Sequence, residues 1–199
     1  TRITYLGPRS VDGTSFLSHD YREGGAADER WLYLPAARRV RRIPASDRGD
    51  YFLGTDFTYE DIQSELKFDL ADYAFRHEGV REDGGRTLHR LSGEPRQEEV
   101  ARELGYGAFV ADIDAESWFP VRIEFRDVDG APLKTVEVLG IERVDGIWTA
   151  TEILATHAQT GHSTRFLYRD IRYPSELPEN YFQPMSLERR LPPSVVRGR

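Results

Sequence analysis

Between Trp118 and Tyr173 apolar and polar residues alternate with a period of two, interrupted by Asp129-Gly130, Asp145-Gly146 and Thr160-Gly161. Phe119, Val121, Ile123 and Phe125 share one parity, and Arg122, Glu124 and Arg126 the other. Strict alternation gives a sheet one greasy face and one wet face. Asp-Gly suits a two-residue hairpin, because glycine adopts positive φ freely and Asp tolerates it. The stretch therefore predicts an antiparallel meander. Upstream, the same reading places strands at 2–6, 14–21, 31–34 and 38–43, with a polar turn at 22–29. A further hairpin, 73–81 with 86–94, closes around Asp83-Gly84-Gly85, and another strand covers 107–113. Helical patterning is brief. Thr58 with Asp61 reads as a cap opening a helix that ends near Leu66, with Tyr59, Ile62 and Leu66 on one stripe. Residues 96–104 predict a surface helix closed by Gly105, and 185–190 a short helical turn.

An apolar sheet face has to be covered. Burial is worth ~25 cal/mol per Å², and a wide aromatic face left wet invites aggregation. The two short helical segments make a narrow cover, which fits an openable pocket. A core closed by further helical elements is the alternative. The candidate lining residues are Trp31, Tyr33, Ile62, Phe119, Val121, Ile123, Phe125, Trp148, Phe166 and Tyr168. Plain core packing uses the same residue types, and sequence does not say which face is concave.

Composition narrows the function classes. The 199 residues carry a formal net charge of −7, which lacks the basic footprint of a general nucleic-acid binder. There is no cysteine, so disulfides, thiol catalysis and Cys-based zinc sites are excluded. No apolar run reaches the ~20 residues of a membrane helix. Lysine occurs only at 67 and 134. The run Arg38-Arg39-Val40-Arg41-Arg42 is a contact for lipid headgroups or an acidic partner, or else a charged edge that discourages strand pairing. His77 and His89 sit symmetrically about the 83–85 turn with Glu78 nearby, but two histidines without a third spaced ligand do not make a metal signature. His157 and His162 read as solvated loop residues, and no metal or cofactor is expected. There is no Gly-x-Ser-x-Gly elbow, phosphate loop or His-Glu-x-x-His, so a lipid hydrolase reading has no nucleophile to stand on.

Several strings carry a resemblance. They are Trp31-Leu32-Tyr33-Leu34-Pro35 with the arginine strand, Phe52-Leu53-Gly54-Thr55-Asp56-Phe57-Thr58-Tyr59-Glu60-Asp61-Ile62, and Phe119-Pro120-Val121-Arg122. Val144-Asp145-Gly146-Ile147-Trp148 follows, then Thr160-Gly161-His162 running on to Asp170-Ile171-Arg172-Tyr173. In this order they resemble the outer membrane lipoprotein-sorting protein family, whose members are similar to LolA and LolB. The resemblance implies a mainly β fold with short helices (α+β), a strongly curved antiparallel half-barrel with a helical lid or plug. It also implies a non-enzymatic periplasmic carrier or receptor for lipid acyl chains or lipoproteins, with peripheral membrane contact. Association with transporters of the resistance-nodulation-division type gives the second reading, an accessory interaction module with a filled core. The 199 residues read as one LolA-like domain lacking the family's N-terminal elements. No lipid-anchor cysteine is present.

Overall fold

The computed structural model describes residues 1–21, 28–68, 70–173, 177–190 and 192, and the turn expected at 22–29 lies mostly outside them. The chain forms two compact units, Thr1–Ala45 with Pro174–Arg199, and Ser46–Tyr173.

The first unit is a four-stranded antiparallel sheet in the order β1-β2-β3-β4. Its strands are β1 (Arg2–Thr4), β2 (Ser15–His19), β3 (Glu29–Leu34) and β4 (Arg39–Ile43). Register puts Ile3, Phe16 and Leu32 in one row, and Phe16 and Leu32 are fully buried. Two 3-10 turns, Glu179–Phe182 and Pro184–Glu188, pack against this sheet and bury Leu187. Arg2 ties them down, donating to the carbonyls of Tyr181, Ser186 and Arg189. The edge strand β4 leaves Arg39, Arg41 and Arg42 exposed, with Arg42 paired to Glu29 at 2.9 Å.

The second unit is the meander. Seven antiparallel strands run in the order β11-β10-β9-β8-β7-β6-β5. They are β5 (Tyr73–Asp83), β6 (Arg86–Pro95), β7 (Ala108–Asp114), β8 (Pro120–Arg126), β9 (Pro132–Val144), β10 (Ile147–His157) and β11 (Ser163–Leu167). Bulges between β5 and β6, β7 and β8, β8 and β9, and within the β9–β10 pair bend and twist the sheet. Of the three meander turns, Asp145-Gly146 is the two-residue hairpin expected, with positive φ at both residues. The Asp129-Gly130 turn is longer. Asp127 closes it by accepting the amides of Asp129 and Ala131 on its carboxylate. The Thr160-Gly161 turn is closed by backbone bonds between His157 and both Gly161 and His162.

Two helices lie over this sheet. α1 (Tyr59–Ser64) opens with a reciprocal capping box between Thr58 and Asp61. It stops at Ser64, short of the expected end at Leu66, because Glu65 and Leu66 both turn left-handed. α2 (Glu98–Leu104) ends on Gly105 in the left-handed conformation. Together they cover a cluster made by Phe57, Leu66, Leu104 and Tyr106 with Tyr73, Phe109, Ala111, Ile123, Phe125, Val136, Val138, Ile153 and Ala155 of the strands.

Within the cluster the hydroxyls of Tyr73 and Tyr106 meet at 2.6 Å. Burial pushes both phenols well above their ordinary range near 10. An acid with a raised folded pKa contributes stability that is complete below the unfolded pKa and is lost as pH rises through the folded value. The urea midpoint is therefore expected to fall as pH climbs past about 10. Tyr106→Phe, which leaves the Tyr73 hydroxyl alone, is expected to cost about 1–3 kcal/mol at neutral pH in the same titration.

Candidate functional site

Register arranges the cluster side of the seven-stranded sheet in rows. Phe75, Gly93, Phe109, Phe125 and Lys134 form the first row, and His77, Leu91, Ala111, Ile123, Val136, Ala155 and Thr164 the second. Beyond them lie Val80, His89, Ile113 and Pro120, and across the sheet Val138, Ile153 and Phe166. Furthest along are Ile141 with Ala150, and Arg143 with Trp148. The opposite face is charged, with Arg81 and Arg90 closing on the buried Asp112 and Arg122 on Glu124 and Glu137.

The first rows are roofed by residues 52–68. Phe68 stacks on Phe109 with ring centroids 3.7 Å apart and planes at 5°. Phe57 stacks on Phe166 at 4.4 Å and 10°. Polar contacts hold this roof at two points. Asp61 of the α1 capping box bonds the ammonium of Lys134, whose side chain lies on the apolar stripe of β9 and over the Phe125 ring. Asp56, also buried, accepts the Thr164 hydroxyl at 2.6 Å and faces His162 Nδ1 at 2.8 Å. His162, expected as a plain solvated loop residue, is thus tied to the roof.

The far rows are less covered. Val80 is 55% exposed, Trp118 69% and Tyr168 45%. Trp148 is half-buried beneath the Arg143 guanidinium, 4.5 Å from its ring centroid.

The expected lining residues divide between these settings. Ile123 and Phe125 are buried inside the cluster, with Ile62 and Phe166 packed on its margin. Val121 falls at the β7–β8 bulge and leaves the alternation, while Phe119 precedes β8. Trp148 and Tyr168 occupy the far, open end. Trp31 and Tyr33 belong to the first unit. Trp31 meets His19 edge-on at 4.9 Å. Tyr33 lines a cavity of about 150 Å³ with Thr4, Ser15, Leu187, Arg189 and Arg190. That volume is well below the roughly 300–1,000 Å³ of sites for drug-sized ligands.

Sequence reasoning passed over Phe57, Phe68, Phe109 and the Asp61–Lys134 pair. One signal was available, since Lys134 shares its parity with Val136 and Val138 in an otherwise apolar stripe.

Comparison with known proteins places the chain. A family model described as an uncharacterized protein matches residues 1–189. No curated protein matches the chain. A solved structure from Vibrio parahaemolyticus, described as an outer membrane lipoprotein-sorting protein domain, is similar at 34% identity and a TM-score of 0.83, covering 94% of this chain and 77% of that one. A DUF1329 family protein from Desulfovibrio piger is similar at 28% identity and the same TM-score of 0.83, covering 94% and 75%. A LolA superfamily protein from Nitrosomonas europaea, at 20% identity and a TM-score of 0.65 over 92% and 75%, shares the fold. The fold is therefore LolA-like, a curved antiparallel sheet with few and short helices. With a match running through both units and a relative about a third identical, this chain belongs to the LolA-like outer membrane lipoprotein-sorting family.

Proposed function

We propose that the protein is a non-enzymatic periplasmic carrier or receptor that holds lipid acyl chains, free or on a lipoprotein, against the apolar face of its seven-stranded sheet. The observation that carries this reading is the uneven roof. Rings and short helices close the near rows, while Val80, Trp118 and Tyr168 stay exposed along the far ones. An acyl chain laid along Ile113, Ile141 and Trp148 would exclude water from a face that is already apolar. Lifting Phe57 and Phe68 would lengthen the track. Affinity would come from burial at ~0.8 kcal/mol per CH₂, and release from exchange with a partner of greater affinity. The family match spans both units, so this reading treats residues 1–199 as one domain.

Native mass spectrometry after mild purification, followed by displacement of a fluorescent fatty-acid probe, tests it. Co-purifying lipid is expected, with affinity rising about fourfold for each added CH₂. Trp148→Asp should weaken probe binding without unfolding the chain, because that side chain is only half-buried. A clean ligand-free spectrum with no probe displacement would sink the reading. The second reading, an accessory module of a resistance-nodulation-division transporter with a filled core, is favoured by one feature. The Phe68–Phe109 stack already fills the first row, and the Phe57–Phe166 stack fills the β11 side of the row beyond the second. Recovery of such a transporter with lipid-free protein would favour it.

A further inference from the structure

On the β5–β6 side of the same sheet face, two imidazoles face each other. His77 Nε2 lies 3.4 Å from His89 Nδ1. Their strands do not pair them directly, since His77 opposes Leu91 and His89 opposes Val80. A bulge at Glu78, followed by Gly79 at φ +128°, brings His77 towards the diagonal position. No L side chain adopts that φ easily, so the bulge depends on glycine. His89 is held on its other side. Trp118 stacks on it with centroids 5.8 Å apart and planes at 6°. That tryptophan is itself in the left-handed region, at φ +59°, which is costly for a bulky residue. Asp114 keeps it there by accepting the amides of Glu116 and Ser117 on its carboxylate and that of Trp118 on its carbonyl. A large ring is thus positioned against one histidine at a site that is otherwise exposed.

We infer that His77 and His89 chelate a divalent transition-metal ion, zinc being the best fit. Two nitrogens bound to one tetrahedral zinc at about 2.0–2.1 Å stand roughly 3.4 Å apart, the spacing already present here. On binding, the proton between the facing nitrogens moves to the outward nitrogen of its own ring, and both lone pairs turn to the metal. Nearby carboxylates are engaged elsewhere. Glu78 accepts from Ser92 and Arg76, and Glu82 from Thr87. Among the described residues no group of three His, Asp or Glu side chains is placed to hold a metal. Water therefore completes the coordination, and the ion is exchangeable. This site stands independently of acyl-chain binding.

Isothermal titration of the full chain with zinc chloride at neutral pH is expected to show one saturable site in the micromolar range, weakening on acidification as imidazole ligands do. His77→Gln and His89→Gln should each weaken it by at least roughly tenfold, and His162→Gln should not. Zinc should also change tryptophan emission in the parent chain. Trp118→Phe should abolish that change while the binding heat persists. Absence of saturable binding, binding unaltered in both glutamine variants, or an emission change that survives in Trp118→Phe would each overturn the assignment.

Discussion

Lys134→Ala is expected to destabilise the protein by about 3–5 kcal/mol, read as a drop in the urea midpoint at neutral pH. The lysine is 2% exposed and sits where the alternation of β9 calls for an apolar residue. Its ammonium has two compensations for leaving water, the Asp61 carboxylate and the face of Phe125. Removing it strands a carboxylate that is itself 7% exposed. Among the described residues Asp61 would keep only the Thr58 amide, at 2.7 Å. Coulomb attraction and desolvation nearly cancel for an intact buried pair, so the large effect belongs to breaking it. The double variant Lys134→Met with Asp61→Asn separates the two. It removes both charges while Asn keeps the cap, and it should recover most of the loss. If Lys134→Ala cost under about 1 kcal/mol, the pair would be acting as a solvated one.

The same pair has a consequence for access to the sheet. Asp61 belongs to α1 and Lys134 to β9, so their bond fastens the roof to the face it covers. Breaking it should loosen Phe57 and Phe68 before the strands separate. Under the acyl-chain reading, the double variant then binds the fatty-acid probe at least as well as the parent, despite its lower stability.

Much of the architecture was legible because the sheet's period is short and its turn chemistry local. The stretch Pro132-Leu133-Lys134-Thr135-Val136-Glu137-Val138 declares its buried side by alternation alone, and Asp145-Gly146 declares its turn. Thr58 and Asp61 declared a cap for the same reason, being three residues apart. Errors came where geometry departs from ideal without a sequence mark. The bulge near Val121 shifts the parity of β8, so the apparent run from Phe119 to Phe125 contributes only Ile123 and Phe125 to the buried cluster. Two left-handed residues end α1 although neither is glycine. The roof was the least legible part. Asp61 and Lys134 are 73 residues apart, and Asp56 and Thr164 are 108 apart. No local pattern encodes such pairings. The family strings supplied the fold without saying which rings fill it.

Gly93→Ala offers the other large effect, and its sign is the informative part. In a strand, adding a methyl to glycine ordinarily stabilises by about 0.4–1 kcal/mol, because the unfolded chain loses freedom. Gly93 has no positive φ that would forbid the change. Here, though, a Cβ would stand 2.2 Å from Cζ of Phe109 and 2.5 Å from its Cε1. The ring cannot retreat easily, since Phe68 stacks on it at 3.7 Å and Tyr73 and Phe75 meet its edges. Relief requires displacing Phe68 and with it the end of the roof. The expected outcome is destabilisation by about 1–3 kcal/mol from overpacking. Adding Phe68→Ala to Gly93→Ala should cost less than the two single changes summed, because the space vacated by one ring accepts the other. Strict additivity of the two, or a stabilised Gly93→Ala, would mean that Phe109 is free to move and that the glycine is not what lets the rings of the near rows stack flat against the sheet.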